Sequence, residues 1–254
     1  MENGSLKPKL WGEFMKYLSK GDIEKIAERV ISAYMNLPDI KDKRIYFINP
    51  EKLLTDLLKV KLEFHHLSLD GTVLGLTASS ENYALLYDVS DTPFYRYIDN
   101  DVVFVEIEMK NDISQLGRYN FTVSHEASHK ILQMLFPEEY CKTPFRGELH
   151  YSKAVLKDTD ENTKWTEWQA NALASALLMP RFLIEQAMYI TGWNKNTKII
   201  NKIYFPKEYK AFAYMSELLG VSKEALGYRL VELGYIKKLF LRNEYSMIDI
   251  ECGE

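Results

Sequence analysis

Apolar positions change period along the chain, and each change marks an element. Ile23, Ile26, Ala27, Val30 and Tyr34 recur at helical spacing, and Pro38 lies just beyond them, which predicts a helix. A second helix is expected to open at Asn49-Pro50, because asparagine suits the N-cap and proline the first helical position. The period then drops to two. Val60, Leu62 and Phe64 alternate with Lys61, Glu63 and His65, the pattern of a strand with one wet face. Asp70-Gly71 is a hairpin signal, and "NYALLYDV" and "DVVFVEIEM" are further strand candidates. These segments predict a small mixed or antiparallel sheet drawn from residues 60–108, preceded by helices.

From Leu116 onward no strand is expected. Arg118 to Phe136 reads as a helix, and Cys141 to Lys164 as a charged, irregular connection. Trp165 to Met179 is predicted to be a helix stopped by Pro180, since proline disfavours helical backbone at the residue before it. Residues 181–190 read as a short helix, "TGWNKNTK" as a linker, and 193–254 as two or three helices. The expected organisation is an irregular N-terminal tail over 1–20, a main α+β domain over 21–192, and a helical C-terminal segment over 193–254.

Composition narrows the class. The chain has 254 residues, 46% apolar and 27% charged, ordinary proportions for a globular protein. A net charge of -4 argues against a dedicated nucleic-acid binder. The two cysteines, Cys141 and Cys252, show no pairing pattern, which fits a reducing compartment. The first twenty residues lack the apolar core of a signal peptide. Pro180, Arg181 and Glu185 interrupt the longest apolar run, Ala170 to Ile190. A soluble, cytoplasmic protein with no membrane partner is therefore expected.

The candidate chemistry lies in "NFTVSHEASHKILQ". Residues i and i+4 share a helix face, so His125 and His129 can converge on one ion, about 2.0–2.1 Å from each nitrogen. Glu126 sits about 100° further round the helix. It is badly placed as a third ligand but well placed to reach a water on the ion. Two histidines holding a metal beside a glutamate that takes a proton is the arrangement of a zinc hydrolase. The alternative is a solvated helix face with two exposed histidines. The apolar flanks Phe121, Val123, Ile131, Leu132 and Leu135 argue against that, because they imply a helix packed on a core.

A catalytic zinc usually takes three protein ligands. His65, His66 and His150 are possible sources of the third, and Glu167 is the better one. In "WTEWQANALASALLMP", Glu167, Ala170, Asn171 and Ala174 share a face, and small residues let two helices approach closely. The competing reading is a surface glutamate on a helix lined with packing alanines.

The segment "GRYNFTVSHEASH", followed by "EWQANALASALLMP", resembles the ImmA/IrrE family of zinc-dependent metallopeptidases. The resemblance rests on Arg118, Phe121-Thr122, His125-Glu126 and His129, then Glu167, Ala170-Asn171 and Leu177-Leu178-Met179-Pro180. It extends to "ELLGVSKEALGYRLVELGYI", a helix-turn-helix-like segment. It implies a zincin-like fold, a small sheet beside two ligand-bearing helices, with His125, His129 and Glu167 holding one Zn2+ and Glu126 as the catalytic glutamate. It also implies a protein substrate, a separate helix-turn-helix repressor, and a role as antirepressor. Two positions depart from the family. Ala127-Ser128 stands where Leu-Gly is common, and Lys130 puts a positive charge beside the second histidine, where it could weaken the ion or bind a carboxylate.

No substrate-binding residue is legible. Tyr119, Arg146, His150 and Tyr151 are candidates for an oxyanion donor, and the sequence does not choose among them. Two rivals to a peptidase remain at this level. One is an antirepressor that keeps the metal and acts by binding. The other is a DNA-associated regulator built on Glu217–Ile236; the C-terminal segment is only weakly basic, with its excess confined to Lys195–Lys210, and a DNA-reading module needs a clearer basic footprint.

Overall fold

The structure is a computed structural model that describes residues 18–78, 82–99, 101–140, 161–194 and 196–241. The Cys141–Asp160 part of the charged connection, with Arg146, His150 and Tyr151, lies outside the described residues, as do residues 1–17 and 242–254 with Cys252.

Helix α1 (Lys20–Met35) opens on a capping box: the Asp22 amide donates to the Ser19 hydroxyl, and the Ser19 amide to the Asp22 carboxylate. Two of the helix's otherwise unsatisfied end groups are thereby paired. Its apolar stripe, Ile23, Ile26, Ala27, Ile31 and Tyr34, is buried. Helix α2 (Pro50–Lys52) has the expected Asn49 cap, with the Lys52 amide donating to its side chain, and runs into a π-helical turn over Leu53–Leu57.

Strands β1 (Lys61–His65), β2 (Gly75–Thr77), β3 (Asn82–Tyr87), β4 (Pro93–Ile98) and β5 (Val102–Glu106) follow. They form a three-stranded sheet in the order β1-β5-β2 and a separate β3-β4 ribbon. The three-stranded sheet is mixed: β5 runs parallel to β1 and antiparallel to β2. Asp70-Gly71 does make a tight turn, with Gly71 at φ +63°, but β1 and β2 do not pair as a hairpin. The chain inserts β5 between them. Every residue of β5 is buried, as expected for a central strand covered on both faces. Val103 and Val105 join the main core with α1 and the later helices. Val102 and Phe104 join a smaller cluster with Leu76, Ala84, Leu86 and Ile98 beneath the ribbon. Strand β4 was not anticipated. Its first five residues are exposed, so "PFYRYI" carries no alternation of apolar and polar positions to read.

The "IEM" end of the last strand candidate belongs instead to helix α3 (Ile107–Asn111). Helices α4 (Leu116–Leu135), α5 (Pro137–Tyr140), α6 (Glu161–Leu178) and α7 (Arg181–Thr191) follow. Helix α6 begins four residues before the expected Trp165, inside the segment read as irregular. Gly192 at φ +67° ends α7, a conformation costly for any residue with a Cβ. Beyond it lie β6 (Ile199–Asn201), α8 (Pro206–Leu219), α9 (Lys223–Glu232) and β7 (Lys238–Phe240). Strands β6 and β7 pair in parallel over three residues and correct the expectation of an all-helical C-terminal half. Three-residue strands are too short for a period-two signal to emerge.

The C-terminal helices share the main core through Phe212, Met215, Leu219, Leu226 and Leu230. One side chain fastens them. Arg229 on α9, 1% exposed, donates from Nε to the Met179 carbonyl at the end of α6, pairs with Glu24 of α1, and reaches Glu232 at 3.1 Å. Among the described residues no helix is long and apolar enough to cross a membrane.

Candidate metal centre

Helix α4 carries the first two candidate ligands and α6 the third. The helices pack through small side chains: Ala127 and Ser128 on α4, and Ala170 and Ala174 on α6, are fully buried. The Ser128 hydroxyl donates to the Ser124 carbonyl at 2.7 Å, and the Ser124 hydroxyl to Ala174 of α6 at 3.4 Å. The Ala-Ser pair that departs from the family pattern thus sits inside the helix contact without holding the helices apart. Of the face expected around Glu167, Asn171 is the exception and is exposed.

This approach brings three side chains together. His125 Nε2 lies 3.0 Å from His129 Nε2, and Glu167 oxygens lie 3.2 Å and 3.3 Å from these two nitrogens. Ligands about 2.0–2.1 Å from a tetrahedral ion are separated from each other by about 3.3 Å, so the spacing suits a metal of zinc's size. The donor set, two imidazole nitrogens and a carboxylate, suits it chemically. Among the described residues this is the one histidine, cysteine and acid cluster able to hold an ion. The imidazoles meet edge to face, centroids 4.6 Å apart at 87°, which orients both rings. His125 Nδ1 is buried without a protein partner among the described residues.

The cluster's electrostatics are coupled. Burial alone would lower the His129 pKa, but the hydrogen bond and charge of Glu167, with the charge of Glu126 behind them, outweigh it and raise the pKa above its ordinary 6.5. Burial alone would raise Glu167; the hydrogen bonds from His125 and His129, and their charge, outweigh it and hold the carboxyl well below the usual carboxylate range. The carboxylate therefore stays ionised, the form a cation requires.

Glu126 is not one of the three converging residues, as its position round the helix requires, but its charge is felt at His129. Its carboxylate lies against β2. A Cβ placed on Gly75 would stand 2.4 Å from Glu126 Oε1. Lys130 is buried at 3% exposure and donates to the Ala78 carbonyl just past β2, at 2.8 Å, while its charge is still felt at His129, where it opposes protonation. Neither Gly75 nor this use of Lys130 was anticipated. The one available signal was a glycine inside a strand pattern, which marks a bulge or a close approach.

The other candidates are engaged elsewhere. His65 pairs with Glu63 at 3.2 Å and His66 with Glu106 at 3.1 Å. The Tyr119 hydroxyl donates to Glu51 at 2.7 Å, and burial, then that carboxylate, pushes its pKa up. Its proton is committed, so Tyr119 is not a standing oxyanion donor.

Comparison with known proteins adds one match. The family model of Peptidase M78, the IrrE N-terminal-like domain, matches residues 91–231, more than half of the chain, and spans all three cluster residues and Glu126. No curated protein matches the chain.

Proposed function

The chain belongs to the Peptidase M78 family of metallopeptidases, and on that premise we propose that it is a zinc-dependent endopeptidase that cuts one specific regulatory protein. The observation carrying this reading is the convergence of Glu167 on two histidines a helical turn apart, at 3.2 Å and 3.3 Å. His125, His129 and Glu167 would hold the ion, and Glu126 is the catalytic residue. When bound, the ion supplies Lewis-acid activation of a water and of the scissile carbonyl. Glu126 accepts the proton of that water and passes it to the leaving amine. Its burial at 6% exposure excludes competing solvent and strengthens its electrostatic action.

The topology suggests how a peptide would enter. Among the described residues strand β2 is an edge of its sheet, and it passes Glu126 at Gly75. An extended peptide can add to such an edge through main-chain hydrogen bonds, which would lay its backbone beside the carboxylate. The target we propose is a helix-turn-helix repressor, as the family resemblance implies, making the protein an antirepressor acting in transcription regulation.

The test is co-expression with a candidate repressor encoded beside it. A discrete fragment is expected with the parent chain and none with Glu126→Gln. Cleavage persisting in that variant would remove Glu126 from the mechanism. Derepression without a fragment would mean that the protein acts by binding.

A further inference from the structure

Two contacts, one turn of helix apart, join helix α4 to strand β2 and to Ala78, the residue after it. At the first, Gly75 meets Glu126. Gly75 is not among the glycines with positive φ, so its backbone is one that any residue can adopt. The constraint is spatial. A Cβ there would lie 2.4 Å from Oε1, 2.7 Å from Cγ and 2.8 Å from Cδ of Glu126. Glycine within a strand weakens it, and here the missing side chain is the space the carboxylate fills.

At the second point, Lys130 donates to the carbonyl of Ala78. Withdrawing an ammonium from water costs several kcal/mol, and lysine is seldom fully buried unless paired. Lys130 lies one turn after Glu126 on the same side of α4, and Ala78 lies directly after the end of β2. The registry of strand on helix is therefore fixed at both places: by a charge-assisted hydrogen bond at one, and by steric contact with a carboxylate at the other.

We propose that Gly75 and Lys130 are positioning residues for Glu126. Lys130 holds β2 onto α4, and the bare backbone at Gly75 then sets where the Glu126 carboxylate stands relative to His125, His129 and Glu167. This inference rests on the metallopeptidase reading, and its test separates the two.

The probe is acetohydroxamic acid, which binds a metal as its anion and gives its proton to a neighbouring carboxylate. It is titrated into the cobalt(II)-loaded chain and followed by visible absorption. The parent, Gly75→Ala, Lys130→Met and Glu126→Gln are each expected to hold about one cobalt. Hydroxamate affinity is expected to fall about tenfold in Glu126→Gln and Gly75→Ala, and less in Lys130→Met. The decisive variant is the double one. Gly75→Ala adds nothing to Glu126→Gln if the glycine acts through that carboxylate, whereas a merely structural lesion adds to it. Lys130→Arg, which restores a donor, is expected to recover part of the loss and serves if Gly75→Ala does not fold. Parent-like affinity in Gly75→Ala, full additivity in the double variant, or an unchanged Lys130→Met would each overturn the proposal. A parent chain that takes up no cobalt would instead sink the metal reading beneath it.

Discussion

Asn120, on the first turns of helix α4, donates from its side-chain nitrogen to the carbonyl of Gly220, one hundred residues later, at 2.8 Å. Gly220 is the left-handed residue that ends α8, so the turn of the helix-turn-helix-like segment is docked on the helix that carries both histidines. Gly117 lies in the same contact: a Cβ on it would be 2.6 Å from the Ser222 amide nitrogen and 2.8 Å from the Val221 carbonyl carbon. By helix propensity, Gly117→Ala should stabilise the chain by about 1 kcal/mol. We expect the opposite, a loss of about 1–3 kcal/mol from overpacking against backbone. Urea denaturation measures it, and a gain in stability would mean that the docked turn is looser in solution.

Zinc content separates the two roles given to acidic side chains. Glu167→Ala is expected to lose most of its metal on dialysis against zinc-free buffer, and Glu126→Gln to keep about one ion per chain. Elemental analysis gives the count directly. Full zinc retention by Glu167→Ala would dismiss it as the third ligand.

Retention should also depend on pH, with a definite sign. A protonated imidazole cannot ligate, so the ion competes with protons at the histidines. The His129 pKa is raised and the Glu167 pKa lowered in the ion-free site. The carboxylate therefore stays ionised through the acid range, and the histidines lose the ion first. Affinity should be full above the raised His129 pKa and fall about tenfold per pH unit for each proton displaced below it. Equilibrium dialysis across pH 5–8 tests this; affinity flat through that window would exclude the histidines.

Arg229→Met keeps much of the side chain's volume but removes every bond the guanidinium makes. Its carboxylate partners are partly exposed, with Glu24 at 29% and Glu232 at 26%, so the cost should fall below that of breaking a fully buried pair. We expect about 2–3 kcal/mol, read from thermal or urea unfolding. A neutral result would mean that the methionine packing replaces the ion pairs.

The cluster of His125, His129 and Glu167 was the most legible part of the chain, because helical periodicity is a local property. Position alone puts His125 over His129, and the alanines at 170 and 174 announce that a second helix comes close. What periodicity does not carry is the partner of each face. Nothing local tells that β5 separates β1 from β2, because strand order is settled by which faces can be buried, and β5, buried on both, takes the centre. Gly75 and Lys130 were opaque for the same reason: each matters through a residue remote in sequence. Lys130 reads as a charge beside the second histidine, and its charge does reach His129, but its bond to the Ala78 carbonyl is not legible. Strand β4 was hidden by its exposed aromatic residues, and β6 and β7 by their brevity.

The guanidinium of Arg229 also imposes an order of events during synthesis. It and its partner Glu24 are 205 positions apart. At typical translation speeds the carboxylate leaves the ribosome roughly 10–40 s before the arginine does. Until the arginine emerges, α1 and the Met179 end of α6 lack the guanidinium that joins them, and until Gly220 emerges helix α4 lacks the turn docked on it. The nascent chain can place both histidines and Glu167 well before it can lock the helices that bear them. A ribosome stalled after α7 would therefore display His125, His129 and Glu167 on a scaffold not yet fastened, and the emergence of α9 decides when the fastening is complete.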